Sequence, residues 1–444
     1  MFKLRIPENL SFPSLSNAQA LQFFQLLRQG SLILTAILLT KSRLSLSGIG
    51  AYEMLMYIAY VLSFWWVSGL MQGLLSRLPQ LDTVDRKKLI FNAYVVVVAL
   101  SATIVAVCWL WRSQVLLLLV GQPDLHYFAV FVWFMAFHFP TYLLENLLLL
   151  QQKPYAIVGL GIFSATATMV AVLVPVYAGW NFQWSFVGLA FVAVLKHAWL
   201  LANVWQNGIW QWQWPLVANW LRLSSPLVLY ALLGGLNTAY DNWLVAHHYE
   251  GDEAIFAIFR YGAQELPFAL ALTGALGTAI IPAIATDLNA ALQSLKGSSR
   301  RLFHLLFPMA VALMLSGHWL FPWVFNPAFI TSVDIFNIYL LLLISRLVFA
   351  RPVLVGLQAN RAVLFISIIE LVVNVGLSYW LVQHFGLRGI AFGTLVAFTL
   401  EKILLCVYLY WRFGVPVGAY TDLRWFGIYA SALLSAYWWV RYYG

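Results

Sequence analysis

Ten ionisable side chains lie inside long apolar stretches of this chain, and their chemistry needs an explanation. They are Arg28, Glu53, Glu145, Lys196, Asp241, Arg260, Glu265, Arg346, Glu370 and Glu401. A charged side chain at the centre of a membrane helix costs at least about 2.5–3.5 kcal/mol, so such residues usually face a partner or a water-filled cavity. We therefore expect them to mark sites inside a membrane.

Two of the bases, Arg28 and Arg260, could hold an anion. A guanidinium presents a planar fork of donors that matches a phosphate, and it stays protonated in such a site. The structural alternatives are that Arg28 reaches the cytoplasmic headgroups, and that Arg260 is neutralised by Glu265, Asp241 or Glu53. We assign Arg28, Arg260, Glu53 and Glu265 to a substrate site in a cavity between the two halves of the chain.

Four further residues carry oxygen ligands. Glu370 and Asn374 are four residues apart and share one helical face, while Asp241 and Thr394 lie in other apolar runs. Such oxygens suit Na⁺, and a lone carboxylate can carry a proton instead. These four residues are candidates for ion coupling, by Na⁺ or by a proton. A polar pair that only locks helices together is the structural alternative.

The composition requires a membrane environment. Hydrophobic residues make up 62% of the 444 residues, charged residues 9%, and mean hydropathy is +0.82, whereas soluble domains are about 25% charged. The net charge of +9 is scattered between apolar runs with no basic block. It therefore indicates membrane topology rather than nucleic-acid binding.

Apolar runs of about 20 residues or more predict membrane-spanning helices. We place them at 20–43, 51–76, 88–113, 126–150, 155–178, 183–205, 224–249, 254–284, 301–325, 332–357, 361–384, 387–412 and 424–441. Twelve form two sets of six, and the last is an extra C-terminal helix. Alternating Trp and Gln around 208–215 suits the headgroup layer. The predicted organisation is an N-terminal lobe 1–206, an interfacial linker 207–223, a C-terminal lobe 224–412 and an extra transmembrane helix 413–444.

Two stretches about 200 residues apart look like copies. Leu-Gln-Gln-Lys-Pro at 150–154 precedes Gly-Leu-Ala-Phe at 188–191, and Leu-Gln-Ala-Asn-Arg at 357–361 precedes Gly-Ile-Ala-Phe at 389–392. Duplicated bundles related by a pseudo-twofold axis are typical of carriers that rock one half against the other. Lys and Arg concentrate in the loops of one side, which places the N-terminus in the cytoplasm.

Enzymatic chemistry is not indicated. The chain has no Gly-rich phosphate loop after a strand, no His-Glu-x-x-His and no Gly-x-Ser-x-Gly. Cys108 and Cys406 both fall in apolar runs and are interpreted as small core residues. We predict no catalytic residues and no cofactor.

Several segments resemble the multidrug/oligosaccharidyl-lipid/polysaccharide (MOP) flippase superfamily. They are 241–245, 251–253, 256–260 and 266–282, which resemble its seventh and eighth helices, and 385–394, which is similar to its passage from the eleventh helix to the twelfth. The resemblance implies two six-helix lobes in a V, alternately open to either side. It also implies export of an anionic polyprenyl-pyrophosphate-linked sugar, as by the O-antigen and lipid II flippases.

The resemblance also implies residue roles. In the lipid II branch, arginines of the first and eighth helices line the cavity, and Arg28 and Arg260 occupy those places. That branch binds Na⁺ through its seventh, eleventh and twelfth helices. Asp241, Asn374 and Thr394 fall in the matching places. A second acid expected one turn after Asn374 is replaced by Ser378, which leaves proton coupling through Asp241 or Glu370 open.

We therefore expect an all-α, polytopic and monomeric transporter of the bacterial inner membrane. Its expected function is flipping of a lipid-linked oligosaccharide or polysaccharide of the O-antigen type, with membrane lipids as further partners and Na⁺ or H⁺ as the coupling ion. The alternatives are a multidrug or small-cation antiporter of the same superfamily, and a non-transporting scaffold of envelope biosynthesis.

Overall fold

The computed structural model describes residues 15–443, and every regular element in that range is helical. The first half comprises α1 (Asn17–Thr40), α2 (Leu46–Arg77), α3 (Thr83–Leu110), α4 (Arg112–Val120), α5 (Phe128–His138), α6 (Tyr142–Leu150), α7 (Pro154–Tyr177) and α8 (Gln183–Asn207). The second half comprises α9 (Trp214–His248), α10 (Glu253–Gly262), α11 (Pro267–Thr286), α12 (Leu288–Val324), α13 (Ser332–Arg346), α14 (Ala350–Gly356), α15 (Asn360–Phe385), α16 (Leu387–Phe413), α17 (Val417–Tyr420) and α18 (Leu423–Tyr443).

Twelve helical stretches among the described residues are long and apolar enough to cross a membrane. Large apolar side chains stand on their outer surfaces, including Trp411, which is 84% exposed, and Trp319, which is 73% exposed. A helix satisfies its backbone hydrogen bonds internally, so such surfaces are stable against lipid. The predicted all-α, multi-pass class is confirmed.

The chain divides into two compact units. The N-terminal lobe contains the chain up to Leu44 together with Leu55–Gly235, and the C-terminal lobe contains Ser45–Met54 together with the chain from Leu236 onward. The first turns of α2 therefore belong to the C-terminal lobe, and the first half of α9 belongs to the N-terminal lobe. The boundary along α9 falls later than the predicted start of the lobe at 224, because this helix contributes to both lobes.

Glycines allow close packing of the first turns of α2 in the C-terminal lobe and of the first half of α9 in the N-terminal lobe. In the C-terminal lobe, a Cβ on Gly50 would lie 1.8 Å from the backbone oxygen of Glu253. In the N-terminal lobe, a Cβ on Gly73 would lie 1.9 Å from Ser224 Oγ. Any larger residue at either position would force the helices apart.

Most of the predicted interfacial linker 207–223 is helical in the structure. Only the first residues are extended, and Asn92 of α3 holds them by donating to the oxygen of Gln211 at 3.1 Å and accepting from the nitrogen of Gln213 at 3.1 Å. From Trp214 onward the segment is helical. Trp220 is fully buried and donates to the oxygen of Leu70 at 3.2 Å, so it is a core residue rather than a headgroup anchor.

Three predicted spans are single helices in the sequence analysis but interrupted in the structure. The span 126–150 contains a 3₁₀ turn at Phe139–Thr141, with Pro140 in it. The span 254–284 breaks between α10 and α11, where Pro267 starts the second helix, and the span 332–357 breaks between α13 and α14. Proline lacks the N–H that continues a helix, which accounts for the first two breaks.

The C-terminal helix α18 runs along the C-terminal lobe. Near its start, Tyr429 hydrogen-bonds His304 of α12 at 2.8 Å, and Lys296 of α12 donates to the oxygen of Gly418 at 2.7 Å. Its last turns lie beside Arg388, at the beginning of α16. The helix thus packs mainly on α12, and its last turns lie near the first turns of α13 and α16. It is not among the twelve stretches that are long and apolar enough to cross a membrane, so its crossing of the bilayer stays a prediction.

The predicted duplication corresponds to a repeated backbone turn. Gln152 follows α6 with φ 53°, and Gln358 follows α14 with φ 61°. In each lobe the next residue donates its N–H five residues back, from Lys153 to Leu148 at 3.1 Å and from Ala359 to Leu354 at 2.9 Å. Both turns close a helix through a residue in the left-handed region.

We expect Gln152→Gly to stabilise the protein by about 0.4–1 kcal/mol, because glycine adopts a positive φ without strain. The neighbouring Gln151→Gly is the matched control and should destabilise. Gln151 has φ −80°, and its Nε2 donates to Asn203 Oδ1 at 2.8 Å. Thermal unfolding of both variants in detergent measures the difference, and equal shifts would contradict the assignment.

The helices α15 and α16 pack closely in the C-terminal lobe. A Cβ on Gly393 would lie 2.1 Å from Ser378 Oγ and 2.8 Å from its backbone. We expect Gly393→Ala to lower the melting temperature by several degrees, since a single overpacked methyl group costs about 1–3 kcal/mol. Gly376→Ala on α15 is the control, because a Cβ there meets nothing within 4 Å. Equal melting temperatures for the two variants would contradict this packing.

Candidate functional site

A buried cluster of oxygen ligands lies in the C-terminal lobe, around Asp241 of α9. Its carboxylate accepts hydrogen bonds from Thr394 Oγ1 of α16 at 2.7 Å, from Tyr339 of α13 at 3.3 Å and from Asn374 Nδ2 of α15 at 3.3 Å. These four residues are all less than 10% exposed. Four helices therefore meet at one carboxylate. The sequence analysis had selected three of the four residues, Asp241, Asn374 and Thr394, and had missed Tyr339.

A second layer of hydrogen bonds orients Asn374. Ser378 Oγ donates to Asn374 Oδ1 at 3.0 Å, one turn further along α15. The absence of a side chain on Gly393 leaves room for Ser378 between α15 and α16. Serine thus completes the cluster at the position where the resemblance implies a second acid, and Asp241 is its only carboxylate.

The cluster can hold one monovalent cation or one proton. No Lys, Arg or His nitrogen lies within 4 Å of Asp241 in residues 15–443. One carboxylate, one amide oxygen and hydroxyl oxygens suit Na⁺ once the hydroxyl protons turn away, and the same carboxylate could bind a proton. Within the described chain, no group of three His, Cys, Asp or Glu residues could hold a metal ion.

Glu370 has different surroundings from the other predicted coupling residues. Its carboxylate accepts from Asn237 Nδ2 at 2.7 Å, and it shows no hydrogen bond to Asp241, Asn374 or Thr394. It lies one turn before Asn374 on the same buried face of α15. The structure thus brings three of the four predicted coupling residues into contact and leaves the fourth beside them.

Further charges in the C-terminal lobe pair among themselves. Glu401 of α16 is 1% exposed and binds both Arg351 and Lys402, the latter at 2.7 Å. Arg346 forms a bidentate pair with Glu265, at 2.7 and 2.5 Å. Sequence analysis missed these pairs and considered Glu265 only as a partner of Arg260. The adjacent Glu401 and Lys402 inside one apolar run were an available signal.

Arg260 is neutralised by Glu53. Its Nε lies 3.5 Å from Glu53 Oε2, in the first turns of α2 that belong to the C-terminal lobe. The Arg260 side chain is 31% exposed and that of Glu53 is 12% exposed. Of the three carboxylates considered for Arg260, Glu53 is the partner, because Glu265 binds Arg346 and Asp241 binds only neutral donors.

Arg28 lies in the N-terminal lobe and is loosely held. Its nearest carboxylate is Glu145 of α6, at 3.8 Å, and its side chain is 49% exposed. Lys196 of α8 lies within the electrostatic reach of both residues. No carboxylate lies within 4 Å of Lys196 in the described part of the chain. Sequence analysis gave Lys196 no role, although it was one of the ten selected charges.

Comparison with known proteins identifies the fold. No family model matches the chain, and no curated protein matches its sequence. Among solved structures, it is similar to the lipid II flippase MurJ in an inward closed conformation, with a TM-score of 0.72, 12% identity, and 96% of this chain and 97% of that chain covered. The chain shares the fold of this flippase.

Two multidrug-transporter structures support the same conclusion. An inward-facing multidrug resistance MATE transporter of the MOP superfamily gives a TM-score of 0.63 at 14% identity, covering 95% of this chain and 99% of that one. A variant of the Vibrio cholerae MATE transporter VcmN gives 0.58 at 16% identity, covering 89% and 98%. The matched proteins are transporters rather than enzymes. At these identities the likeness concerns the fold, so a choice of substrate has to come from the charged residues.

Proposed function

We propose that the protein is a flippase that moves a polyprenyl-pyrophosphate-linked glycan from the cytoplasmic to the outer leaflet of the bacterial inner membrane. It works by alternating access, as a monomer without a cofactor and with a cytoplasmic N-terminus. The fold supports a transporter of the MOP type. The choice of an anionic lipid as substrate rests on the charges within each lobe.

An excess of positive charge in the N-terminal lobe carries the proposal. Arg28 and Lys196 lie in membrane-spanning helices and share a single carboxylate, Glu145. An uncompensated charge inside a membrane segment is costly and generally faces a partner or water. A pyrophosphate would supply the missing negative charge, and the Arg28 guanidinium would bind it with a fork of donors.

A substrate phosphate could replace the glutamate most easily in the ion pairs that have the longest distances between nitrogen and oxygen. Arg28 lies 3.8 Å from Glu145 and Arg260 lies 3.5 Å from Glu53, whereas the Arg346 pair has contacts of 2.5 and 2.7 Å. A pyrophosphate that displaced a glutamate would gain two short charge-assisted hydrogen bonds. When the substrate leaves, the glutamate neutralises the arginine again, so neither state exposes a bare charge to lipid.

Among the ionisable residues within the membrane-spanning helices of the C-terminal lobe, the unbalanced charge is negative. Arg260 balances Glu53, and three bases balance three acids in the remaining charged network, formed by Arg346, Arg351, Lys402, Glu265, Glu370 and Glu401. Asp241 is left with neutral donors alone. A cation at Asp241, Asn374 and Thr394, either Na⁺ or a proton, would complete the balance and couple transport to an ion gradient.

A second candidate is a drug or small-cation antiporter, which the similarity to MATE transporters and the lone Asp241 favour. Such a protein needs acids where its cationic substrate binds. In the N-terminal lobe, however, Glu145 is accompanied by two bases. A non-transporting scaffold has no observation in its favour, because a lone carboxylate buried in four helices is costly without a function.

Depletion of the gene tests the proposal. We expect a polyprenyl-pyrophosphate-linked glycan to accumulate on the cytoplasmic leaflet, measured by mass spectrometry and by its protection from an external glycan-modifying reagent. Re-expression of the wild-type gene should reverse the accumulation. Unchanged lipid-linked glycans, combined with increased retention of a cationic dye, would favour the antiporter instead.

A further inference from the structure

A small pocket lies at one end of the C-terminal lobe, where α18 meets the first turns of α13 and α16. Its walls are Asp334, Asn337, Arg388, Tyr437, Val440 and Arg441. The pocket is shallow and open, with a cavity volume of only about 10 Å³, so a bound group would lie at its mouth. The predicted topology places this end of the lobe on the outer face of the membrane. None of these residues belongs to the Asp241 cluster or to the Arg28 and Arg260 pairs.

The pocket carries one uncompensated positive charge. Arg388 donates to the carboxylate of Asp334, so these two residues neutralise each other. Arg441 shows no ion pair with any carboxylate among residues 15–443, and its side chain is exposed. The Tyr437 hydroxyl lies in the electrostatic field of both arginines. An anion at the mouth would therefore meet Arg441 without displacing an existing partner.

Asn337 provides a further donor at the base of this pocket. It is 2% exposed, and its Oδ1 has no hydrogen-bond partner and lies 3.6 Å from the place of a Cβ on Gly317. With the oxygen turned towards α12, the opposite side of the amide presents its NH₂ group. The pocket thus combines guanidinium, amide and phenol donors. That set fits an acceptor with several oxygens on one atom.

We propose that this pocket binds the phosphate group of an anionic phospholipid in the outer leaflet. The last turns of α18 carry exposed aromatic side chains beside it, at Trp438, Trp439, Tyr442 and Tyr443. Trp and Tyr collect at the level of the headgroups, so the pocket opens where lipid phosphates are found. A headgroup bound here would join α18 to α13 and α16. A zwitterionic lipid is disfavoured because its cationic group would approach Arg441.

Native mass spectrometry of the purified full-length protein tests the assignment. The probes are phosphatidylglycerol and phosphatidylcholine with the same acyl chains, and inorganic phosphate as the lipid-free source of the same group. The variants are Arg441→Gln and, as a matched control, Arg424→Gln. Arg424 is an exposed arginine near the other end of α18.

We expect phosphatidylglycerol to remain bound to the wild type and to Arg424→Gln, and to bind Arg441→Gln about tenfold more weakly, since one charge-assisted contact is lost. Arg441→Lys, which keeps the charge but loses the fork, should be intermediate. The proposal would be overturned if Arg441→Gln and Arg424→Gln retained phosphatidylglycerol equally. It would also be overturned if the wild type retained phosphatidylcholine as well as phosphatidylglycerol. Arg441-dependent binding of inorganic phosphate without binding of the lipid would overturn it as well.

Discussion

Asp241→Asn is expected to abolish ion-coupled transport while leaving the protein folded. Asparagine has the same shape as aspartate and can still accept from Thr394 and Tyr339, so the four helices keep their packing. It removes the only carboxylate of the cluster, and hydrogen bonds to charged groups contribute about 1.5–3 kcal/mol each. We expect cation binding to weaken at least about tenfold, measured as the loss of Na⁺- or proton-dependent transport of the lipid-linked glycan.

Two threonines on α16 provide a matched control for this prediction. Thr394 Oγ1 donates to Asp241 at 2.7 Å, whereas Thr399 Oγ1 donates only to the oxygen of Leu395 in its own helix and is exposed. Thr394→Val should impair ion dependence, and Thr399→Val should not. Full ion-dependent transport in both Asp241→Asn and Thr394→Val would show that coupling occurs elsewhere, for example at Glu370.

Ser378→Asp distinguishes the two coupling ions. It places a second acid one turn after Asn374, where the resemblance to the lipid II flippases implies one. If the wild type is proton-coupled, this variant should gain Na⁺ binding, seen as a rise of melting temperature with Na⁺ concentration. If the wild type already binds Na⁺, its melting temperature should rise with Na⁺ and Asp241→Asn should remove that rise.

The helices could be predicted from the sequence because membrane spans depend on local composition. The twelve apolar runs correspond to the twelve helical spans, and their type follows from the need to satisfy backbone hydrogen bonds in lipid. Interruptions were missed where the residues stay apolar through the break, as between α13 and α14. Trp220 was misplaced because tryptophan suits both a headgroup layer and a core, and only the packing of α9 on α2 distinguishes them.

Charge partners in the membrane depend on distances that the sequence does not contain. The Arg346 pair joins residues 81 positions apart, and the contact of Thr394 with Asp241 joins residues 153 apart. The second contact was expected only because the resemblance implied it. For Arg260, three carboxylates were compatible with the sequence. The choice of Glu53 depends on the first turns of α2 belonging to the C-terminal lobe.

Arg28→Ala and Arg260→Ala are each expected to abolish flipping without preventing insertion. If each arginine binds the pyrophosphate, losing one charge-assisted contact should weaken headgroup binding about tenfold or more. Arg→Lys at either position should also impair transport, because a point charge cannot reproduce the bidentate fork. The readout is accumulation of lipid-linked glycan in cells that express only the variant, at matched protein levels in the membrane.

A control must distinguish loss of the guanidinium contact with the substrate from a general effect of removing an arginine from a membrane helix. Arg412→Ala serves this purpose, because Arg412 is exposed at the end of α16 and shows no ion pair in the described chain. It should transport normally.

Glu53→Gln tests whether a substrate can replace Glu53 as the partner of Arg260. The change frees Arg260 from a carboxylate at 3.5 Å. If the pair is purely structural, the only effect should be a lower melting temperature. If the substrate replaces Glu53, the variant should bind the glycan lipid more tightly. Normal flipping in both arginine-to-alanine variants would place the anion site elsewhere. Lys196, the base that has no carboxylate within 4 Å in the described residues, would then be the next position to replace.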